Sequence, residues 1–139
     1  MSLNSFDSLF KSDDEKAKNG VPIPMGMNAK NENITIWVAE AGNPNHEKCQ
    51  RKYSKQLEHT RKNRKAHDEV IAKIVAESIL VKWEGFLDDN GAPIEPTVEN
   101  KTKMLRDYKK FMTAVLEAAG DYDNYSIVDP DAEKETEKN

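Results

Sequence analysis

Ile79-Leu80-Val81-Lys82-Trp83-Glu84-Gly85-Phe86-Leu87-Asp88-Asp89-Asn90-Gly91-Ala92-Pro93-Ile94 is the stretch whose reading decides the fold. Ile79, Leu80, Val81, Trp83, Phe86 and Leu87 fall within nine residues. No other window offers as much apolar area, so Trp83 is read as the core anchor. Upstream, Val70, Ile71, Ile74, Val75, Ser78, Ile79, Lys82 and Trp83 follow i, i+3/i+4 steps. That spacing predicts a central helix running through Trp83, with Asp68 and Glu69 favourably placed at its N-terminal end. Gly85 is then read as the helix stop, because glycine takes the left-handed C-terminal position without a Cβ clash. Asp89-Asn90-Gly91 reads as a tight reversal centred on Gly91, and Pro93 and Pro96 keep the next segment extended.

Working outward, Thr97 is an N-cap for a helix from Val98. Its stripe is Leu105, Tyr108, Met112, Val115, Leu116 and Ala119, widened by Met104 and Phe111, and it stops at Gly120. On the other side, Asn43-Pro44 places an N-cap before a proline at the first helical position. The helix that follows has a narrow apolar stripe of Cys49, Tyr53 and Leu57. Ile34-Thr35-Ile36-Trp37-Val38 alternates as a strand does. Val21-Pro22-Ile23-Pro24-Met25 is extended, and its prolines confine it to a sheet edge. Phe6, Leu9 and Phe10 permit one helical turn, either docked on the domain or exposed as a linear partner motif. Together these features predict a mainly α fold with a small N-terminal β-hairpin, an α+β arrangement. Three to four helices form one compact domain over residues 21–128, with the hairpin at about 21–38. A flexible segment at 1–20 and a disordered acidic tail at 129–139 flank it.

The chain has 139 residues, enough for one domain that buries roughly two-thirds of its unfolded surface. It is 37% hydrophobic and 33% charged, a balance that suits long helices with solvated faces. The net charge is only -4, but it is unevenly spread. Residues 48–65 are strongly basic and the residues after Glu117 strongly acidic, which favours self-association or one-sided partners. The single cysteine, Cys49, excludes an intrachain disulfide and a cysteine-based metal site. No apolar run approaches a membrane span, and the first residues lack the pattern of a signal peptide.

No nucleophile–base motif and no phosphate-cradling glycine loop is present, so an enzyme is not expected. His46, His59 and His67 are too far apart for one helical metal face, and Asp88-Asp89-Asn90-Gly91 departs from calcium-loop spacing. No metal or cofactor is expected. The basic stretch, with Arg61, Lys62, Arg64 and Lys65, is interleaved only by Tyr53, which reads better as a solvated helix face than as a nucleic-acid reader. Structural roles fall to Trp83, Gly85, Gly91, Leu105, Tyr108 and Phe111. The candidate partner surface comprises Phe6, Phe10, Ile36, Trp37, Tyr53 and the four basic residues. A hairpin this small needs cover from helices or from a second chain.

The order of motifs resembles the tail assembly chaperones of long-tailed bacteriophages. A strand leads into Ala41-Gly42-Asn43-Pro44 and a basic helix, followed by Trp83-Glu84-Gly85, Gly91-Ala92-Pro93, and then Leu105-Arg106-Asp107-Tyr108 with Phe111. The resemblance covers roughly residues 20–120. The chain departs from the family pattern at Glu40, where a basic residue often stands, and at Lys109, where a proline often breaks the last helix. A bend is expected near Asp107-Tyr108. The resemblance implies a non-enzymatic protein in the cytoplasm of the infected bacterial host. It would coat the tape-measure protein, recruit tail-tube subunits and leave before the tail is finished. It also implies two product lengths: Glu137-Lys138-Asn139 can be encoded by a run on which ribosomes slip back one base. The alternatives are a minor tail or connector protein of the virion, and a nucleic-acid-binding module using the basic helix.

Overall fold

The computed structural model describes residues 5–127. Among the described residues, seven α-helices accompany a three-stranded antiparallel sheet. The helices are α1 (Phe6–Phe10), α2 (Asp14–Asn19), α3 (Pro44–Lys52), α4 (Ser54–His59), α5 (Arg64–Ser78), α6 (Val98–Asp107) and α7 (Lys109–Ala119). The strands are β1 (Val21–Met27), β2 (Asn33–Val38) and β3 (Leu80–Glu84), in the order β1-β2-β3. The chain is therefore α+β, and this corrects the expectation of three to four helices with an N-terminal hairpin. The hairpin is only two-thirds of the sheet. The predicted acidic tail, with its slippery terminus, lies outside the described residues.

The missing strand comes from the deciding stretch. The central helix ends at Ser78, and Leu80–Glu84 pairs antiparallel with β2: Thr35 with Glu84, Ile36 with Trp83, Trp37 with Lys82, Val38 with Leu80. One step along β2 thus corresponds to two along β3, which makes Val81 a bulge residue. The bulge shifts the alternation, so Leu80 and Trp83 both face the core although they are three apart. That spacing imitates a helix. Gly85 consequently terminates a strand rather than a helix. Its φ is +96°, and a Cβ there would overlap the Asn33 carbonyl oxygen at the start of β2.

Helices α5, α6 and α7 cover one face of the sheet. Ile36 and Val38 of β2 and Leu80 and Trp83 of β3 pack with Ala72, Val75, Ala76 and Ile79 from α5 and its end, Leu105 of α6, and Val115 and Ala119 of α7. The prolines of β1 point to the other face and sit on an edge strand, where a missing N–H costs no ladder bond. The other edge, β3, is stoppered. Lys101 of α6 is buried, and its Nζ donates to the carbonyls of Leu80, at 3.0 Å, and of Val81, at 3.3 Å. Burial holds this ammonium below the ordinary lysine value.

Several buried polar side chains join the elements. Asn43 caps α3 by accepting from the N–H groups of Asn45 and His46, while its Nδ2 donates to the Glu40 and Ser78 carbonyls. Tyr125 is fully buried and donates its hydroxyl to the Val38 carbonyl at 2.8 Å. Residues 5–19, read from the sequence as part of a flexible segment, carry α1 and α2. Asp13 caps α2 and donates its N–H to the Tyr125 carbonyl, and the Ala17 carbonyl accepts from Glu40.

Gly85→Ala and Gly42→Ala form a matched pair. Both sites have positive φ, but a Cβ at Gly42 meets nothing within 4 Å. Gly85→Ala should be the more destabilising by about 1–3 kcal/mol, the range for overpacking, in parallel denaturant melts. Equal losses would show that the approach of Gly85 to β2 carries no weight.

Tyr125 generates a pH prediction. Burial, then the Glu40 and Asp121 carboxylates, push its phenol above the ordinary tyrosine range. Above the usual pKa of 10.0, the unfolded chain loses a proton that the folded chain keeps. Stability should therefore fall as pH rises past that value. Tyr125→Phe should be less stable at neutral pH by about 0.5–1.5 kcal/mol, yet show a flatter alkaline limb in melts across pH.

Candidate functional site

The α6–α7 junction builds a groove. Tyr108 serves as C-cap of α6 and N-cap of α7, with extended backbone (φ -118°, ψ 94°) and no side-chain cap. The bend expected near Asp107-Tyr108 is a break into two helices, with neither proline nor glycine at it. Beyond the break, Phe111 meets Trp83 and Phe86. The three rings are mutually edge-on, with centroids 5.3 Å (Trp83–Phe86), 6.2 Å (Trp83–Phe111) and 5.7 Å (Phe86–Phe111) apart, a favoured aromatic geometry.

Trp83 is held from β3. Its Nε1 donates to the Ile94 carbonyl at 2.7 Å, which pulls the segment after the turn back against the ring. The turn has its own support: the Asp88 carboxylate accepts from the N–H groups of Asn90 and Ala92, and Gly91 has φ +79°. The result is an open cavity of about 660 Å³, with Met25, Trp83, Phe86, Ile94, Met104 and Phe111 among its apolar lining. Asp88 and Asp89 edge it on the turn side, and Lys103 and Lys110 on the helical side. Tyr108, on the same lining, is 60% exposed. An apolar trough with charged rims of both signs suits an amphipathic segment better than a small polar substrate.

Of the residues singled out from the sequence, Trp83, Tyr108 and Phe111 meet at this groove, and Leu105 is buried in the core. Gly85 and Gly91 shape the backbone on either side of Phe86 and Leu87. The candidate partner residues do not form one patch. Ile36 is fully buried in the core, whereas Trp37 is on the opposite sheet face under the Lys82 ammonium, 4.3 Å from the ring centroid. Tyr53 donates its hydroxyl to the Glu77 carboxylate, which also holds Lys52 at 3.1 Å. Burial raises the Glu77 pKa, but hydrogen bonds from Tyr53 and Lys52 outweigh it and hold the carboxyl below its ordinary value. Arg61, Lys62, Arg64 and Lys65 are exposed around the start of α5. Phe6 and Phe10 stand out on α1. Met25, Ile94 and Met104 were not singled out as groove residues. Met25 continues the alternation of Val21 and Ile23, which was the available signal.

Residues 40–139 match the family model described as YdaY prophage protein. The chain belongs to that family. It is accordingly phage-derived. No curated protein and no solved structure matches it. The matched span holds the groove except for Met25; β1, β2 and α1 precede it. Among the described residues, no helix is long and apolar enough to cross a membrane.

Trp83→Ala removes the groove floor and a core side chain together. It should cost about 3–5 kcal/mol in a denaturant melt. A wild-type melting curve would show that the ring contributes nothing to the core.

Proposed function

We propose that this prophage-encoded chain is a tail assembly chaperone, which holds an amphipathic helix of the tape-measure protein and recruits tail-tube subunits. The observation that carries the reading is the aromatic groove at the α6–α7 break, with Tyr108 exposed on its lining. A helical client lays an apolar face into such a trough and finds both charge signs on its rims. The phage origin of the family and the order of motifs over residues 20–120 are compatible with the same reading. No chemical step is assigned to any residue, and the role is one of binding. Two product lengths, the longer made by slippage near Lys138-Asn139, belong to this proposal. They require a slippery run in the gene and an overlapping frame past it.

The test uses the tape-measure and tail-tube proteins of the same prophage. Co-expression should give a complex of this chain with the tape-measure protein, and mass spectrometry of finished tails should find the chain absent. Tyr108→Asp should weaken the complex about tenfold or more, as expected for a lost aromatic hot spot. Aspartate also supplies the α7 N-cap that tyrosine lacks, so the variant should stay folded. Presence of the chain in finished tails in fixed stoichiometry would refute the chaperone role and favour a permanent virion component.

A further inference from the structure

His46 and His67 line one open cavity of about 540 Å³, together with Leu57, Ile71, Val75 and Leu116. Both are half-buried. Each is hydrogen-bonded through Nδ1, but in opposite senses. The His46 Nδ1 accepts from the Gly42 N–H at 2.9 Å. A protonated imidazole has no acceptor, so this bond exists only while the ring is neutral. The His67 Nδ1 lies 3.1 Å from the Thr60 hydroxyl oxygen. That hydroxyl spends its one proton on the Gln56 and Leu57 carbonyls, at 2.7 Å and 3.3 Å. Its oxygen therefore accepts from the His67 Nδ1–H, a bond that protonation spares. Of the two histidines on this cavity, only His46 is tied to its neutral form.

The His46 bond closes a junction. His46 is the third residue of α3, and its ring reaches back past the Asn43 N-cap to Gly42, one residue further than in a capping box. Residues 40–43, which it closes, tie four other segments together. The Glu40 N–H donates to the Ala17 carbonyl of α2, and the Ala41 N–H to the Ala119 carbonyl at the end of α7. The Glu40 carboxylate accepts from the Ser12 hydroxyl at 2.6 Å, and the Asn43 Nδ2 donates to the Ser78 carbonyl at the end of α5. A cation on His46 meets three penalties of one sign. It loses the Gly42 bond, it stands in the first turn of α3, where the helix dipole favours anions, and it is partly desolvated. Burial holds the His46 imidazole below the ordinary histidine value, and Glu47 on the same helix only partly opposes this. The other charged or titratable groups on the cavity are Glu58 of α4, Arg61 just beyond it and His67 of α5, while α7 presents only Leu116.

We propose that His46 is a proton-operated latch on the start of α3, whose protonation frees the Gly42–Asn43 turn and loosens α3 from the end of α5. The inference is independent of the groove at the α6–α7 break and of the chaperone reading. Its sign follows from the bond. The latched ring takes up a proton less readily than the released one. The latch therefore contributes fully above the ordinary histidine value of 6.5, and is lost as pH falls through the lower folded value.

NMR of the full chain between about pH 8 and about pH 5 tests this, reading the histidine rings and the protection of backbone amides from exchange. The His46 ring should titrate below that of His59, which is exposed. Protection of the α3 amides, corrected for intrinsic exchange, should fall about tenfold per pH unit between the released and latched values of His46. Amides of α6 should hold steady over the same range. His46→Gln keeps an acceptor at the third helical position but cannot titrate, so its α3 protection should not depend on pH. His67→Gln should keep the wild-type dependence, because the bond it removes survives protonation. A His46 ring that titrates with His59 or above it, or wild-type α3 protection that does not move with pH, would overturn the proposal. So would an acid loss in His46→Gln equal to that of wild type. Should His46→Gln fail to fold, the two wild-type readouts still decide.

Discussion

The pairing of β3 with β2 across the bulge at Val81 is the constraint on which the rest of this structure depends. Without the extra residue, a strand that begins with Leu80 on the core face would turn Trp83 away from it. With it, Leu80 and Trp83 both point inward, and the Trp83 indole reaches the Ile94 carbonyl. A bulge weakens the local ladder and leaves carbonyls to be satisfied. Lys101 meets that need from α6, bonding the carbonyls of Leu80 and of Val81. One buried lysine thus joins the irregular edge strand to the helix that carries Met104 and leads into Tyr108. The groove inherits its shape from this joint.

Much of the framework was legible in the residues. Asn43-Pro44 and Thr97 cap the helices they precede, and the prolines of β1 sit on an edge. The misreading concentrates where two periods coincide. Val70 to Ser78 is a genuine helical stripe, and the bulge spaces Leu80 and Trp83 by three, so the stripe continues unbroken into a strand. Two local signals argued the other way. Ile79-Leu80-Val81 is β-rich, and a glycine after Trp83-Glu84 ends a strand as well as a helix. Neither outweighs periodicity in a single sequence, because the partner that decides, β2, lies more than forty residues upstream.

The candidate site was legible only in part, for a related reason. Trp83, Tyr108 and Phe111 announce themselves by size and spacing. Met25, Ile94 and Met104 become neighbours only through the sheet register and the pull of Trp83 on the segment after the turn. The basic stretch misled in the opposite direction. Its charge is conspicuous in the sequence, but its Tyr53 and Lys52 are engaged with Glu77, tying α3 to α5. Composition marks where charge is dense; it does not mark which charges already have partners.

The rigidity of its floor decides how the groove is presented. Trp83 is fixed by its hydrogen bond and by two edge-on rings, so the trough is ready-formed and needs little ordering when it is covered. Its rings lie open to water, which favours a surface that covers them. Along the rims Lys103, Lys110, Asp88 and Asp89 are exposed, and charges in that position set specificity more than affinity.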